Sequence, residues 1–270
     1  MPELPEMENY KRLLGGHIIG KPLTNIEVNR DKSINLPPAQ FIQELKGRSI
    51  VAVNRRAKHL IFHLNSGKSL LLHLMLGGLM YLGNDQDNPK RTKQVILAFG
   101  DLKLYFIGLR LGYLHLHDAK SLEAELSDLG PEPLDPEFTF ARFSELFSEK
   151  KGRIKTTLVN QEVIAGIGNC YSDEICFEAA VKPSRKFTEL ETRELQGLFT
   201  GMHTVFQRAI HAGGYMEMPL FKNDHKTGGY NDQCLVYDRE GEPCLRCRTA
   251  IVKEMISTRK MFYCPNCQKG

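Results

Sequence analysis

Four cysteines close to the C-terminus constrain the fold of this chain more than any other feature. They form the pattern C-x2-C-x16-C-x2-C, at Cys244, Cys247, Cys264 and Cys267. Each C-x2-C pair can turn two thiolates toward one ion, and two pairs complete the tetrahedron of a structural Zn²⁺ site. The N-terminus lacks the basic-then-apolar pattern of a signal peptide, which argues against disulfides at this spacing. The pattern therefore predicts a zinc finger that holds one structural Zn²⁺.

Composition places the chain among globular proteins rather than membrane proteins. Of its 270 residues 41% are hydrophobic and 25% are charged, and no apolar run approaches the ~18 residues of a membrane helix. We therefore expect a cytoplasmic protein. The net charge is only +4, but basic residues cluster near 55–58, 90–93 and 150–155. Such clusters favour binding to a polyanion, and solvated surface lysines are the alternative interpretation.

The hydrophobic periodicity changes along the chain and predicts three domains. Apolar residues at helical spacing over 7–14 predict a short N-terminal helix that ends at Gly15. Short strands with tight turns follow over 22–117 and predict a sandwich or barrel. Three prolines within 130–136 form a stiff linker, after which helices dominate. The predicted domains are 1–134, 135–233 and 234–270.

Beyond the linker, the pattern predicts three helices and one long loop. The helices are expected near 139–150, 169–179 and 189–211. Thr188 and Glu191 have the spacing of a capping box for the last of them. Residues 213–233 are rich in Gly, Asn and Asp, and a loop of that length is usually functional or mobile.

The extreme N-terminus carries a candidate nucleophile. If Met1 is removed, Pro2 presents a secondary amine, and an α-amine with a pKa of about 8 is partly neutral near neutral pH. Such an amine can attack C1′ of a sugar and form an iminium ion. Glu3, next in sequence, could protonate the opening sugar ring. Pro5 and Glu6 are also explained as ordinary first-turn residues of a helix.

Several segments resemble the Fpg/Nei family of DNA glycosylases, which includes formamidopyrimidine-DNA glycosylase and endonuclease VIII. The opening PELPE is similar to the start of that family, and 54–60 is similar to its hairpin that carries a catalytic lysine. Residues 161–169 resemble its helix-two-turn-helix signature. Residues 244–267 resemble its zinc finger, with Arg259 at the hairpin tip. The similarity covers essentially the whole chain, in the correct order.

This resemblance implies a fold class, an activity and a partner. The fold would be α+β and multidomain: an N-terminal β-sandwich with an N-terminal helix, a helix-two-turn-helix domain and a C-terminal zinc finger. The activity would be that of a bifunctional DNA glycosylase and AP lyase of base excision repair. It would remove a damaged base through a Schiff base at Pro2 and nick the strand by β,δ-elimination. The implied partner is damaged double-stranded DNA, and we expect a monomer.

The resemblance also implies roles for single residues. Lys58 takes the role of the catalytic lysine, and Glu6 is expected to hold the N-terminus in place. Asn169 lies at a predicted helix start, where free backbone amides bind phosphate well. Asn169 is therefore expected to contact a phosphate. Arg259, at the hairpin tip, and Lys155, in a basic cluster, are expected to contact phosphates as well.

Enzymes of this family turn the damaged nucleotide out of the duplex and fill the space that it leaves between the stacked bases. The chain departs from the family at the residues that fill this space. The family uses Met, Arg and Phe there. Leu76 falls at the Met position in the segment that begins at His73, and both residues are candidates for DNA contact. Arg110 is the candidate intercalating arginine, and Leu111 replaces the Phe. Residues 213–221 lack the Ser/Thr and the Arg-Asp-Tyr of the lesion-capping loop, so specificity for oxidised guanine is not carried over.

Two other functions stay open at this point. One is a non-catalytic or altered-specificity protein of the same fold that binds damaged DNA. The other is an RNA-binding zinc-ribbon protein. Retention of Pro2, Glu3 and Lys58 favours the enzyme, because a protein that only binds needs none of them.

Overall fold

The computed structural model describes residues 1–269 and divides into two compact units. The first unit comprises 1–127 together with 216–229, and the second comprises 128–215 and the chain from Tyr230 onward. The short segment 216–229 thus belongs with the first unit, although it lies within the predicted domain 135–233. Among the described residues, every helix is too short or too polar to cross a membrane.

The first unit is a sandwich of two antiparallel four-stranded sheets with three helices. The helices are α1 (Leu4–Ile18), α2 (Pro38–Leu45) and α3 (Ala119–Leu126). The strands are β1 (Asn25–Val28), β2 (Ile50–Arg56), β3 (His59–Leu64), β4 (Ser69–His73), β5 (Leu79–Gly83), β6 (Lys93–Phe99), β7 (Leu102–Ile107) and β8 (Tyr113–His117). One sheet has the order β1-β6-β7-β5 and the other the order β2-β3-β4-β8.

The two sheets share one hydrophobic core, which confirms the predicted sandwich. Val95, Leu97 and Phe106 from one sheet belong to the same buried cluster as Phe62 and Leu72 from the other. Alternating apolar residues along each strand supply this inner face. Tight turns at 65–67 and 100–101 separate neighbouring strands, β3 from β4 and β6 from β7.

Helix α1 is longer than the sequence pattern predicts. The helix was expected to end at Gly15, but it continues to Ile18. Leu14 and Ile18 are both fully buried in the core, four residues apart on one helix face. Burial of these two side chains outweighs the helix penalty of about 1 kcal/mol for each glycine.

Segment 216–229 is anchored to the first unit rather than free. Leu220 is fully buried in the sandwich core, and its carbonyl accepts a hydrogen bond from the backbone N–H of Leu82 at 2.6 Å. The hydroxyl of Tyr10, on α1, donates to the Met218 carbonyl at 2.9 Å. Asn9 Nδ2 donates to Thr227 Oγ1 at 2.8 Å. A buried leucine and these hydrogen bonds attach the segment along α1 and β5.

In the second unit, the described residues up to 269 form four α-helices and a two-stranded hairpin. They are α4 (Phe140–Ser148), α5 (Ile154–Leu158), α6 (Asn169–Glu178), α7 (Thr192–His211), β9 (Val252–Ile256) and β10 (Arg259–Tyr263). The three predicted helices are confirmed as α4, α6 and α7. The predicted cap of α7 is wrong by one turn. Glu191 is the N-cap residue, and its backbone N–H donates to Glu194 at 3.0 Å, because Phe187–Glu189 form a separate 3₁₀ turn.

Candidate active site, metal centre and phosphate-contact residues

Pro2 and Glu3 lie at the start of α1 in a buried, hydrogen-bonded arrangement. Glu3 is the N-cap residue of α1 and is only 2% exposed. Its backbone N–H donates to Oε2 of Glu6 at 2.8 Å, and its carbonyl accepts from Met7 at 3.1 Å. Glu6 is fully buried, so its carboxylate is available to order the chain terminus rather than to face solvent. This geometry is what a group that holds the N-terminus requires.

Lys58 lies in the tight turn between β2 and β3. Ala57, just before it, has a φ of 52°, and the Lys58 side chain is buried, with 4% of its surface exposed. The turn is held by Arg55, whose Nη1 donates to the Ala57 carbonyl at 3.1 Å. Nε of Arg55 donates to Oε2 of Glu8, on α1, at 3.0 Å. One arginine therefore connects the lysine-bearing turn to the helix that begins beside Pro2.

Glu8 was not identified from the sequence, because an acidic residue in a helix pattern reads as solvated surface. In the structure it is 8% exposed. Burial opposes ionisation of Glu8, but the hydrogen bonds and charges of Lys11 and Arg55 together outweigh it and lower the pKa of the carboxyl group. Glu8 is thus a buried carboxylate with cationic partners, as buried charges require.

His73 ends β4 beside the lysine-bearing turn. Its ring centroid lies 4.2 Å from that of His59, its cross-strand partner. Burial, with the neighbouring His59 and Lys58, lowers the pKa of His73 to about 3. Its Nε2 is buried and has no hydrogen-bond partner among residues 1–269. His73 therefore carries a neutral imidazole in the folded protein, and its contact with DNA stays a prediction.

Two loops connect the sheets at one end of the sandwich, 74–78 from β4 to β5 and 108–112 from β7 to β8. Leu76 is 64% exposed and Leu111 is 63% exposed, which is unusual for leucine. Arg110 is exposed beside them, and Leu76 and Arg110 line one shallow surface cavity. The structure therefore brings the predicted intercalating residues together.

Asn169 is the first residue of α6, preceded by Gly168 in an extended conformation. Its Oδ1 is buried and accepts no hydrogen bond from the described residues. Gly166 has a φ of 90°, a conformation that favours glycine, and its N–H donates to Gln161 Oε1 at 2.9 Å. The predicted phosphate-binding helix start is thus formed by a compact turn of the chain.

Lys155 is placed differently from its expected role. Its side chain is fully buried, and its ammonium donates to the Asn169 carbonyl, Ser172 Oγ and Asp173 Oδ1 at 3.1, 3.3 and 2.7 Å. An ammonium has three donors, and all three are used. The expected phosphate contact of Lys155 is therefore corrected: it is a buried ion-pair partner that orders the first turn of α6.

Arg259 opens β10 at the tip of the β9–β10 hairpin and is exposed. Ser257, in the turn, has a φ of 56°. The hairpin is tied to α6 because the backbone N–H of Phe262 donates to Asp173 Oδ2 at 3.0 Å. Asp173 therefore binds Lys155 with one oxygen and the hairpin with the other. Sequence reasoning missed Asp173, because an acidic residue between Ser172 and Glu174 carries no local signal that it is buried.

The four predicted metal ligands converge. All four Sγ atoms lie within 4.8 Å of one another, with 3.9 Å between Cys244 and Cys267 and 3.4 Å between Cys247 and Cys264. Ligands at about 2.3 Å from a tetrahedral Zn²⁺ are separated by about 3.8 Å, whereas disulfide sulfurs lie about 2.05 Å apart. Hydrogen bonds from Thr249 and Asn266 lower the pKa of Cys247 to about 5, whereas burial raises the pKa of Cys264 and of Cys267, so the fit to zinc rests on the positions of the sulfurs. The residues fit one structural zinc.

Comparison with known proteins identifies related sequences over the whole chain. Family sequence models match in order: the formamidopyrimidine-DNA glycosylase N-terminal domain over 1–114, the formamidopyrimidine-DNA glycosylase H2TH domain over 129–218, and the zinc finger found in FPG and IleRS over 241–270. A formamidopyrimidine-DNA glycosylase of Listeria innocua is 35% identical, with all of both chains covered. One of Carboxydothermus hydrogenoformans is 34% identical over the same full coverage.

Solved structures show the same similarity. A Lactococcus lactis FPG variant in complex with Fapy-dG containing DNA has a TM-score of 0.92 and 28% identity, with all of both chains covered. The Lactococcus lactis Fpg in complex with DNA that contains an abasic site gives the same TM-score and identity, covering 99% of this chain and 100% of that one.

Proposed function

We propose residue roles for this protein from one premise: the chain belongs to the formamidopyrimidine-DNA glycosylase family. It is a bifunctional DNA glycosylase and AP lyase of base excision repair. The observation that carries the residue assignment is the buried start of α1, where the Glu3 backbone is bound by Glu6 at 2.8 Å. Burial and hydrogen bonding hold the terminal amine in one orientation. Nucleophilic catalysis requires such a fixed orientation toward the substrate atom that is attacked.

The reaction begins at the Pro2 nitrogen, once Met1 is removed. Its lone pair forms a bond to C1′ of the damaged nucleotide, and the bond from C1′ to the base breaks with its electron pair going to the base. The Pro2 nitrogen then loses its proton, which the departing base takes up. Glu3 then protonates the ring oxygen as the sugar opens, leaving an iminium ion between Pro2 and C1′. The iminium ion acidifies the C2′ proton. Loss of this proton expels the phosphate at C3′, and a second elimination expels the phosphate at C5′.

Lys58 acts on the phosphate side of this reaction. A buried lysine carries a charge that is poorly screened by water, so it stabilises phosphate charge that develops during elimination. Its turn is fixed to α1 through Arg55 and Glu8, at 3.0 Å. That attachment supports a constant spacing between the lysine and the Pro2 amine.

Contacts with the rest of the duplex are assigned to both units. Leu76, Arg110 and Leu111, hereafter the wedge residues, fill the space in the stack that the extruded nucleotide leaves. Asn169 and Arg259 bind phosphates, and His73 contacts the DNA. Structural zinc orders the hairpin that carries Arg259, because a finger of this size has little core of its own.

The substrate class is duplex DNA with a damaged or missing base. We assign no preference for oxidised guanine, because Leu76 and Leu111 replace the family's Met and Phe, and residues 213–221 lack the side chains of its lesion-capping loop. The site of action that fits a DNA substrate is the bacterial nucleoid. The non-catalytic alternative is less favoured, because a protein that only binds DNA has no need for Pro2, Glu3 and Lys58 together.

Borohydride trapping tests the proposal. Duplex DNA with one abasic site is incubated with the enzyme and sodium borohydride, and the adduct is mapped by peptide mass spectrometry. An adduct at Pro2 is expected. The matched control carries one extra residue before Pro2, which removes the terminal proline amine, and it should give no adduct at that position. Absence of an adduct from protein that has lost Met1 and contains zinc would leave the non-catalytic alternative as the better account.

A further inference from the structure

We propose that Arg30, Ser33 and Gln94 are positioning residues for the wedge. They bind the backbone of loop 108–112 and fix which side chains of that loop face DNA. The inference rests on the proposed function, because it concerns how Arg110 and Leu111 are presented to the duplex. None of the three positions belongs to the site residues that sequence reasoning identified.

The three side chains hydrogen-bond to the backbone N–H and carbonyl of Leu109 and to the carbonyl of Arg110. The N–H of Leu109 donates to Gln94 Oε1 at 3.3 Å. The Leu109 carbonyl accepts from Arg30 Nη1 and from Ser33 Oγ, each at 3.2 Å. Arg30 Nη2 donates to the Arg110 carbonyl at 3.3 Å. One guanidinium group thus binds two successive carbonyls, a bidentate contact that a single-donor side chain cannot reproduce.

This binding decides the register of the loop. Leu109 is fully buried in the sandwich core, whereas Arg110 and Leu111 are exposed. A one-residue shift would bury Arg110 and expose Leu109. Ser33 is fully buried and Gln94 is 8% exposed, so both are fixed reference points for the loop.

The ends of the loop are fixed by close backbone approach. A Cβ atom on Gly108 would lie 2.2 Å from the Gly77 carbonyl oxygen, and one on Gly112 would lie 2.3 Å from that of His73. Both loops of the wedge therefore touch backbone to backbone at these glycines. Among Arg30, Ser33 and Gln94, only Arg30 is charged, and it binds the backbone of Arg110, whose side chain is exposed.

A fixed wedge matters because insertion into a base stack requires bases to unstack, which is unfavourable. Ordering a mobile loop backbone at the moment of insertion adds a cost in conformational entropy. Arg30 reduces that cost in advance by holding the carbonyls of Leu109 and Arg110 in one fixed geometry. Its loss should therefore slow extrusion of the nucleotide and leave the chemistry at C1′ unchanged.

The test compares Arg30→Gln with two matched variants. Arg30→Lys retains the charge and one donor, and Arg48→Gln removes an exposed arginine of the same unit. The substrates are an abasic site in duplex DNA and the same abasic oligonucleotide as a single strand, which has no partner stack to fill. Extrusion is followed directly from the fluorescence of 2-aminopurine placed next to the lesion in the duplex. Thermal unfolding checks that each variant is folded.

For Arg30→Gln we expect kcat on the duplex to fall roughly tenfold, the equivalent of one charged hydrogen bond, with a matching slower fluorescence rise. Single-strand cleavage should stay within about twofold, Arg30→Lys should be intermediate, and Arg48→Gln should match the wild type. Equal losses on both substrates, or an unchanged fluorescence rate, would overturn the proposal. Failure of the proposed function is distinct, because the wild type would then cleave neither substrate.

Discussion

Nε of Arg55 donates to Oε2 of Glu8 at 3.0 Å, and this ion pair joins the turn that carries Lys58 to the helix that begins beside Pro2. The two catalytic candidates are far apart in sequence. A pair buried to this degree loses more when one partner is removed than a surface pair does, since the other charge is then left without compensation. The spacing of the proposed nucleophile and lysine therefore depends on a residue that takes no part in the chemistry.

Replacing Glu8 should consequently impair catalysis without removing a reacting group. Glu8→Gln is expected to lower the rate of strand cleavage about tenfold or more, because a small misplacement of catalytic groups is costly. Single-turnover cleavage of abasic duplex measures this. Glu44→Gln is the matched control, since it removes an ion pair with Lys68 on the surface of the same unit and should leave the rate unchanged. A normal rate for Glu8→Gln would contradict the positioning role.

Glu3 should matter more for base removal than for cleavage of an existing abasic site. Glu3→Gln is expected to slow excision of a damaged base by a factor of ~10² or more, the usual contribution of a general acid. A preformed abasic sugar exists in part as the ring-opened aldehyde, which needs no protonation of the ring oxygen by Glu3, so its cleavage should fall less. Parallel rates on the two duplexes decide the matter, and equal losses on both would rule out this assignment.

His73 should make stability depend on pH in mildly acidic solution. Burial lowers the pKa of His73 to about 3 from 6.5. The unfolded chain takes up a proton below its higher pKa while the folded chain does not, so stability is complete above pH 6.5 or so and falls toward pH 3. The slope from this group is at most about 1.4 kcal/mol per pH unit. Urea unfolding at several pH values should show a shallower slope for His73→Asn, and an identical slope would refute the assignment.

Arg259 should contribute binding that does not depend on sequence. Arg259→Ala is expected to weaken binding to every duplex alike and to reduce the slope of log K against log salt by about 1, as for one lost phosphate contact. Titrations at several salt concentrations measure the slope. Arg193→Ala, which changes an exposed arginine on α7, is the control. Zinc content should be normal in both, and an unchanged slope for Arg259→Ala would count against the contact.

Lys155 should behave as a structural residue. Lys155→Met leaves Asp173 buried without its cation and is expected to cost about 3–5 kcal/mol of unfolding free energy. Because burial raises the pKa of Asp173, this loss should grow as the pH rises and the carboxyl group ionises. Combining Lys155→Met with Asp173→Asn should recover part of the stability. A normal unfolding free energy with a reduced salt slope would instead restore the phosphate contact first expected of Lys155.

Local patterns in the sequence determined the parts of this protein that depend on neighbours along the chain. The spacing of Cys244, Cys247, Cys264 and Cys267 was sufficient for the metal site, because each C-x2-C turn places two thiolates by itself. Alternating apolar residues predicted the sandwich, and the candidate amine at Pro2 was recognised from its place directly after Met1. These features need only a few consecutive residues to be recognised.

Tertiary structure alone decided the features that join distant residues. Lys155 and Arg259 are both basic, yet Lys155 is buried beside Asp173 and Arg259 is exposed. Burial of a side chain depends on which other elements pack against it in the folded chain. The register of Arg110 required the contacts of Arg30 and Gln94 with Leu109. Segment 216–229 belongs to the first unit because Leu220 is buried in the sandwich core, which is formed by residues far away in the sequence. Such contacts have no local periodicity, so the sequence holds no pattern from which to predict them.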